Sequence, residues 1–289
     1  MGPRRGTSSI IRHETAWKDA EEAKPEEDLK LTRNTQPAVV ATSIALYRAL
    51  DATPDVAAGH SLGEYAAHVA AGTIGFADAI RTVRLRGKTM QDAVPVGEGA
   101  MAAVLKADRE AVEAACAAAA EATGQVCEAV NYNGPGQIVI AGSARAVAHA
   151  GEALKASRAR VMPLPVSAPF HSTLMKPAEE KLAPVLRALE ATAPAFPIYA
   201  NVDAAPLRDA GAAIEALVQQ VSRPVRWEAT VRRMVADGVT LFVEVGPGKV
   251  LTGLVGRIAK EAKRVTVNGP DQFEAARAAI AEARENREG

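Results

Sequence analysis

The pentapeptide Gly59-His60-Ser61-Leu62-Gly63 is the stretch of this chain whose residue types and spacing could carry covalent chemistry. It follows the short apolar run Val56 to Ala58 and leads at once into Glu64-Tyr-Ala-Ala-His-Val-Ala. A strand that turns sharply into a helix needs small residues at both flanks, because a side chain at either would collide with the other limb of the turn. Gly59 and Gly63 fill those positions. Such a turn lifts the Ser61 hydroxyl clear of the backbone and points the N–H of Leu62 toward the same space, giving a nucleophile and an oxyanion donor together. A tight connection with an incidental serine would leave the same five letters. The strand-like run before it and the helical pattern after it favour the nucleophile.

A serine nucleophile needs a base, and the histidines are His13, His60, His68, His149 and His171. His13 lies in a polar N-terminal stretch, His68 and His149 fall inside helical patterns, and His60 points away from the nucleophile as an elbow requires. His171 stands on the proline-punctuated loop Ser167-Ala-Pro-Phe-His-Ser172. Loops carry catalytic residues on rigid scaffolds, which makes His171 the candidate general base. Hydrolases built on this elbow orient the imidazole with an Asp or Glu placed between serine and histidine in chain order. Glu64, Asp78 and Glu98 are available and nothing singles one out; a backbone carbonyl would serve as well.

The elements that must position these residues follow from periodicity and turn chemistry. Residues 1–28 are charge-rich with little to bury, which predicts loop, a frayed helix or disorder. Asn34-Thr-Gln-Pro37 precedes an apolar run that predicts a buried helix over 38–50. The elbow and a helix from Phe76 to about Met90 come next, the latter carrying Arg81, Arg84, Arg86 and Lys88. Residues 98–167 read as strand, helix, strand, a turn at Asn133-Gly-Pro-Gly136, strand, helix, strand. That βαββαβ order is a split βαβ, or ferredoxin-like, unit and can stand as an inserted small subdomain. The large subdomain is then 1–97 plus 168–289, with helices at 177–190, 212–221, 227–236 and 249–258 and strands at 198–202 and 241–245. An alanine-rich surface helix is expected at 270–284. Gly246-Pro-Gly248 resembles a dinucleotide turn, but Leu251 occupies the third glycine position. Strands alternating with helices predict an α/β fold with a parallel sheet.

Composition narrows the function. The chain has 289 residues, 48% hydrophobic and 4% aromatic, with formal charges that cancel. No basic stripe or aromatic platform offers nucleic acid a grip. No apolar run is long enough to span a bilayer, and no apolar centre of a signal peptide is present, so a cytoplasmic protein without membrane contact is expected. Cys116 and Cys127 lack a C-x-x-C spacing and read as reduced thiols. No metal-binding pattern appears.

Five ordered motifs then carry a resemblance. Gly59-His-Ser-Leu-Gly-Glu-Tyr65, Leu85-Arg-Gly-Lys-Thr-Met-Gln91, Asn131-Tyr-Asn-Gly-Pro-Gly-Gln137, Pro169-Phe-His-Ser-Thr-Leu-Met-Lys-Pro177 and Glu244-Val-Gly-Pro-Gly-Lys-Val250 are similar to malonyl-CoA:acyl carrier protein transacylases, from about Leu29 to Ile258. The resemblance implies an α/β-hydrolase-like large subdomain carrying a ferredoxin-like small one. It implies that Ser61 accepts malonyl from coenzyme A, that His171 is its base, that the backbone carbonyl of Gln220 orients His171, and that Arg86 binds the malonyl carboxylate. Asn131, Asn133 and Gln137 match family positions near the bound thioester. The partners implied are malonyl-CoA and acyl carrier protein, with the coenzyme A thioester as substrate and no further cofactor. Phe170 and Met90 could line a water-excluding wall or simply pack in the core.

Family members also begin with a strand ending in Gly-Gln-Gly-Ser-Gln, whose glutamine N–H is the second oxyanion donor. Residues 1–28 hold no such stretch. Loss of one donor lowers turnover by roughly 10²- to 10³-fold, so reduced activity is an expectation. Three readings stand at this stage: a malonyl transferase, a serine thioesterase or esterase on the same elbow, and a catalytically impaired module that binds the carrier protein.

Overall fold

The computed structural model describes residues 31–166 and 168–288. The expectations for residues 1–28, His13 among them, and for Ser167 lie outside the described residues. Helix α1 (Thr32–Leu50) begins at Thr32 instead of Ala38, with Pro37 inside it. Pro37 is the sixth residue of the helix and has no N–H to give the Arg33 carbonyl, so the helix forgoes one bond there while the rest of the ladder continues. The carbonyl of Leu31 takes up the N–H groups of Asn34 and Thr35. Strand β1 (Ala57–Ala58) feeds the elbow, and α2 (Leu62–Ala70) and α3 (Phe76–Asp92) follow. Helix α3 lies hard against α1: a Cβ on Gly87 would stand 2.7 Å from the Thr32 carbonyl oxygen, so only glycine allows the approach.

The next six elements are β2 (Gly99–Leu105), α4 (Arg109–Thr123), β3 (Cys127–Gly134), β4 (Gln137–Ser143), α5 (Ala144–Ala156) and β5 (Arg160–Pro163). Their strands form one sheet in the order β3-β4-β2-β5, and every pairing is antiparallel. Val104, Ile140, Val112, Cys116 and Leu154 share one buried cluster, so the unit has apolar packing of its own. Strand β3 runs on through Asn133 and Gly134, leaving Pro135-Gly136 as the turn.

A short 3₁₀ turn, Thr173–Met175, brings the chain back to α6 (Lys176–Arg187), β6 (Ile198–Tyr199), β7 (Pro206–Leu207), α7 (Ala210–Gln220) and α8 (Trp227–Ala236). Then come β8 (Leu241–Val245), α9 (Val250–Ile258), β9 (Lys263–Val267) and α10 (Phe273–Glu288). Strand β1 pairs parallel to β6, β6 antiparallel to β7, and β8 parallel to β9. Among the described residues these are two short sheets, not one continuous parallel sheet. The strand expected over 198–202 stops at Tyr199, because the backbone turns back to close the Ala200 N–H on the Ala205 carbonyl. Strands β7 and β9 were not expected; β9 opens with Lys263 and Arg264, which mask its apolar alternation. Helix α10 is less of a surface element than its composition suggests. It buries Ala276 with Leu50 and Val267, and Arg277 and Arg284 donate to carbonyls at the end of α1 and just beyond it.

The largest apolar cluster joins Val40 and Ile44 of α1, Tyr65 and Val69 of α2, Val83 and Met90 of α3, Leu182 of α6 and Leu217 of α7. This packing brings Gln36 of α1, Arg86 of α3 and Gln220 at the end of α7 together beside the elbow.

Candidate active site

Ser61 is the residue before α2, and its backbone sits at φ 51° and ψ −105°. A non-glycine residue held there stores roughly 1–3 kcal/mol of strain, which surrounding contacts must balance. Two side chains do so. Asn201 Oδ1 accepts the Ser61 N–H at 2.6 Å while its Nδ2 donates to the Gly59 carbonyl at 2.7 Å, and Gln220 Nε2 donates to the Ser61 carbonyl at 2.8 Å. Only one flanking glycine is sterically required. A Cβ on Gly59 would fall 1.9 Å from the Gly63 carbonyl carbon, whereas a Cβ on Gly63 would meet nothing within 4 Å. Of the two glycines the turn was expected to need, the fold requires only Gly59. Leu62 is the first residue of α2, so its N–H has no partner within the helix and opens at the positive end beside the serine.

The Ser61 hydroxyl lies 2.7 Å from His171 Nε2. His171 is buried and itself adopts φ 63°. Its Nδ1 lies 2.8 Å from the Gln220 carbonyl oxygen. A carbonyl can only accept, so Nδ1 carries the proton and Nε2 is left bare to accept from the serine. Burial, and next the charge of Arg86, push the His171 pKa down to about 3. The imidazole is therefore a neutral base across the physiological range. Glu64, Asp78 and Glu98 do not orient it: Glu64 bonds to Gln220 and Asn201, Asp78 pairs with Arg81, and Glu98 is exposed.

Of the four cations on α3, Arg81, Arg84 and Lys88 are exposed and Arg86 is 2% exposed. Its guanidinium donates to Gln36 Oε1 at 2.9 Å, to Gln220 Oε1 at 3.1 Å and to the Ser61 hydroxyl oxygen at 3.0 Å. Gln220 is the hub. Its carbonyl holds the base, its amide oxygen the cation and its amide nitrogen the nucleophile's backbone and Glu64 Oε2.

Ser61, Leu62, His171, Arg86 and Gln220 therefore form one contact network. Asn133 reaches it indirectly, through His60 Nε2 at 2.7 Å, which ties the elbow to strand β3. Asn131 lies next to it on β3 with a buried Oδ1 that has no partner among the described residues. Gln137 is turned to Arg257, whose guanidinium it accepts at 2.7 Å, and makes no bond to the network. Met90 is core; Phe170 packs between that core and the cluster around Met101 and Val130. His68 is buried with no partner for either nitrogen among the described residues, and His149 is exposed.

A family model described as the acyl transferase domain matches residues 11–284. The chain belongs to the acyl transferase family. Its relatives include the malonyl CoA-acyl carrier protein transacylases of Escherichia coli strain K12, 49% identical over 257 residues, and of Bacillus subtilis strain 168, 46% identical over 264. These alignments cover 87% and 90% of this chain and 82% and 83% of the relatives. An acyl carrier protein S-malonyltransferase from Vibrio cholerae superposes with a TM-score of 0.86 at 44% identity, over 93% of this chain and 92% of that one. The malonyl-transacylase of a type II polyketide system, solved in complex with its holo acyl-carrier protein, superposes at 0.85 with 47% identity, over 87% and 82%. The mixed α/β architecture is that of these enzymes.

Three residues of this acyl transferase site were missed in the sequence: Gln36, Asn201 and Glu64 as a partner of Gln220. Each is a buried polar side chain. The local signals were a glutamine ahead of a proline, an asparagine inside an expected strand, and a glutamate on a mostly apolar helix.

Proposed function

We propose that this acyl transferase moves a malonyl group from malonyl-CoA to the phosphopantetheine thiol of an acyl carrier protein through a malonyl ester on Ser61. The observation that carries the reading is the 3.0 Å contact between the Arg86 guanidinium and the Ser61 hydroxyl oxygen. In a malonyl thioester a single methylene separates the reacting carbonyl from the carboxylate, so the recognising cation must stand next to the nucleophile. A guanidinium offers parallel N–H donors matched to a carboxylate, and acetyl, lacking the charge, forgoes that contact. The names of the relatives support the donor, and the neighbour bound to its carrier protein supports the acceptor.

The steps follow from the network. Ser61 attacks the thioester carbonyl as its proton passes to His171 Nε2, while the Gln220 carbonyl steadies the imidazolium through Nδ1–H. The Leu62 N–H faces the developing oxyanion. Collapse breaks the C–S bond, and the coenzyme A thiolate takes the proton from His171. The phosphopantetheine thiol then gives its proton to His171 and attacks the serine ester, and Ser61 leaves with that proton restored. Asn133, Asn131 and Gln137 on the facing strands are read as the thioester side of the site, and the chemistry calls on no group beyond the coenzyme A thioester.

The same reading treats 98–167 as a ferredoxin-like insert in an α/β-hydrolase-like large subdomain; the antiparallel order β3-β4-β2-β5 supports it. Cytoplasmic residence is supported by two free, buried thiols. Among the described residues no helix is long and apolar enough to cross a membrane. The test is intact-protein mass after brief incubation with malonyl-CoA, then with holo carrier protein. A malonyl adduct that is absent in Ser61→Ala and passes to the carrier supports transfer. Free malonate in place of acyl carrier would make the chain a thioesterase, and no adduct on Ser61 would end both readings.

A further inference from the structure

One buried carboxylate takes no part in those steps. Glu64, one turn into α2 from the nucleophile, is fully buried. Its Oε2 accepts from Gln220 Nε2 at 2.7 Å and from the Asn201 N–H at 3.2 Å. Its Oε1 is buried with no partner among the described residues. An ionised carboxylate only accepts, so it fixes the Gln220 amide with nitrogen toward itself and oxygen toward Arg86. Glu64 and Arg86 are thus two buried charges bridged by one amide, and together they neutralise the pocket.

A substrate carboxylate arriving at Arg86 upsets that balance. Two anions and one cation would then share a low-dielectric space, which is unfavourable unless one anion is neutralised. We propose that Glu64 is the counter-charge of Arg86 in the unliganded enzyme and takes a proton from solvent onto Oε1 when the malonyl carboxylate binds. The inference rests on the malonyl reading above. Oε1 is the atom free to carry the proton, and protonation there leaves the two bonds accepted by Oε2 intact.

The surroundings place that protonation equilibrium near neutral pH. Burial raises the Glu64 pKa to about 7, against the hydrogen bonds from Gln220 and Asn201 and the charge of Arg86, with Asp203 adding to the rise. The charges that face it from other elements are Arg86 on α3 and Asp203 after β6; on its own helix Tyr65 is adjacent. His171, beside Arg86, stays neutral throughout the relevant range. A second anion raises the Glu64 pKa further, so the complex is protonated where the free enzyme is ionised. Binding above pH 7 then consumes a proton, and apparent affinity falls with pH toward the limit of about tenfold per unit.

The experiment measures KM for malonyl-CoA from pH 6 to 8 in wild type and in Glu64→Gln, with the Ser61 adduct followed by mass. Wild-type KM should be flat below pH 6.5 and rise about fivefold or more between pH 7 and 8; Glu64→Gln should give a flat profile whatever its absolute rate. Superimposable profiles overturn the proposal. A second measurement uses wild type alone: mixing with malonyl-CoA in weakly buffered indicator solution at pH 7.5 should take up most of one proton per site. An adduct formed without proton uptake removes the role of Glu64 and leaves malonyl transfer standing. Absence of any adduct removes the malonyl reading and this inference with it.

Discussion

The side-chain oxygen of Asn201 accepts the backbone N–H of Ser61 at 2.6 Å, across 140 residues of sequence. With its amide nitrogen on the Gly59 carbonyl at 2.7 Å, one buried side chain spans the turn and holds the nucleophile at its positive φ. Asn201→Ala strands both backbone groups in the interior, where each unsatisfied group costs about 1–3 kcal/mol. The expected outcome is a loss of about 2–4 kcal/mol in urea denaturation and a slower acylation burst. Asn201→Asp keeps an acceptor for Ser61 but turns an oxygen toward the Gly59 carbonyl, so it should not rescue. Wild-type stability in both variants would show that the elbow holds itself.

The two glycines of the elbow should behave differently. Gly59→Ala forces a methyl to 1.9 Å from the Gly63 carbonyl carbon, a backbone atom that cannot swing away. Overpacking of this kind costs several kcal/mol, and the variant should fail to fold or lose acylation entirely. Gly63→Ala meets open space and gains helix propensity in the first turn of α2. Its expected melting temperature is at or slightly above wild type. Equal damage from both substitutions would contradict the geometry.

That asymmetry shows where legibility ended. The elbow could be read because strand, turn and helix signals lie within a dozen contiguous residues, and His171 because it stands on a loop that core packing does not explain. Arg86 and the Gln220 carbonyl came from a family resemblance; periodicity alone left Arg86 among four similar cations on one helix. Gln36, Asn201 and the bonds of Glu64 were beyond reach for a physical reason. Their partners lie 50, 140 and 156 residues away in sequence, and a buried polar side chain reads like a solvated one until its partner is known. Helices with a clear apolar face were legible to within a few residues. The strand at Ile198 was read too long, and the two-residue β7 was not read at all, since pairing with distant segments defines such short strands and not their own composition.

Buried neutral groups give the fold a definite acid sensitivity. Burial lowers the His68 pKa to about 4 and, with Arg86, that of His171 to about 3, both below the unfolded value near 6.5. Each contributes stability that is complete above pH 6.5 and is lost as pH falls toward the folded pKa. Glu64 acts in the opposite sense: its pKa is raised from 4.5 to about 7, so its contribution is present below 4.5 and is lost as pH rises to 7. Between pH 4.5 and 6.5 the two histidines outweigh the one carboxylate, and these three groups make stability rise with pH by about 1.4 kcal/mol per unit. Glu64→Gln should steepen that slope by about one proton and His68→Phe should flatten it by about one, read from urea titrations across the window. Parallel slopes in all three proteins would show that these groups do not control the acid limb.

Selection of the acyl group should depend on how firmly Arg86 is held. Its guanidinium is gripped by Gln36 on one nitrogen and by Gln220 and Ser61 on the other. Arg86→Ala removes the carboxylate partner, so kcat/KM for malonyl-CoA should fall by about 10²-fold or more, on the scale of a lost charge-assisted contact. Acetyl-CoA, which has no carboxylate to lose, should be affected little or gain. Arg86→Lys keeps the charge but not the planar pair of donors, and should recover only part of the preference. Gln36→Ala leaves the charge in place and frees one arm of the fork. Its expected effect is about a tenfold loss in malonyl-over-acetyl selectivity, mainly through KM, with the rate of serine acylation at saturation nearly kept. Competition between the two thioesters, scored by the mass of the Ser61 adduct, measures this directly. An unchanged adduct ratio in Arg86→Ala would mean that the carboxylate is recognised elsewhere and that the 3.0 Å contact with Ser61 serves only to position the nucleophile.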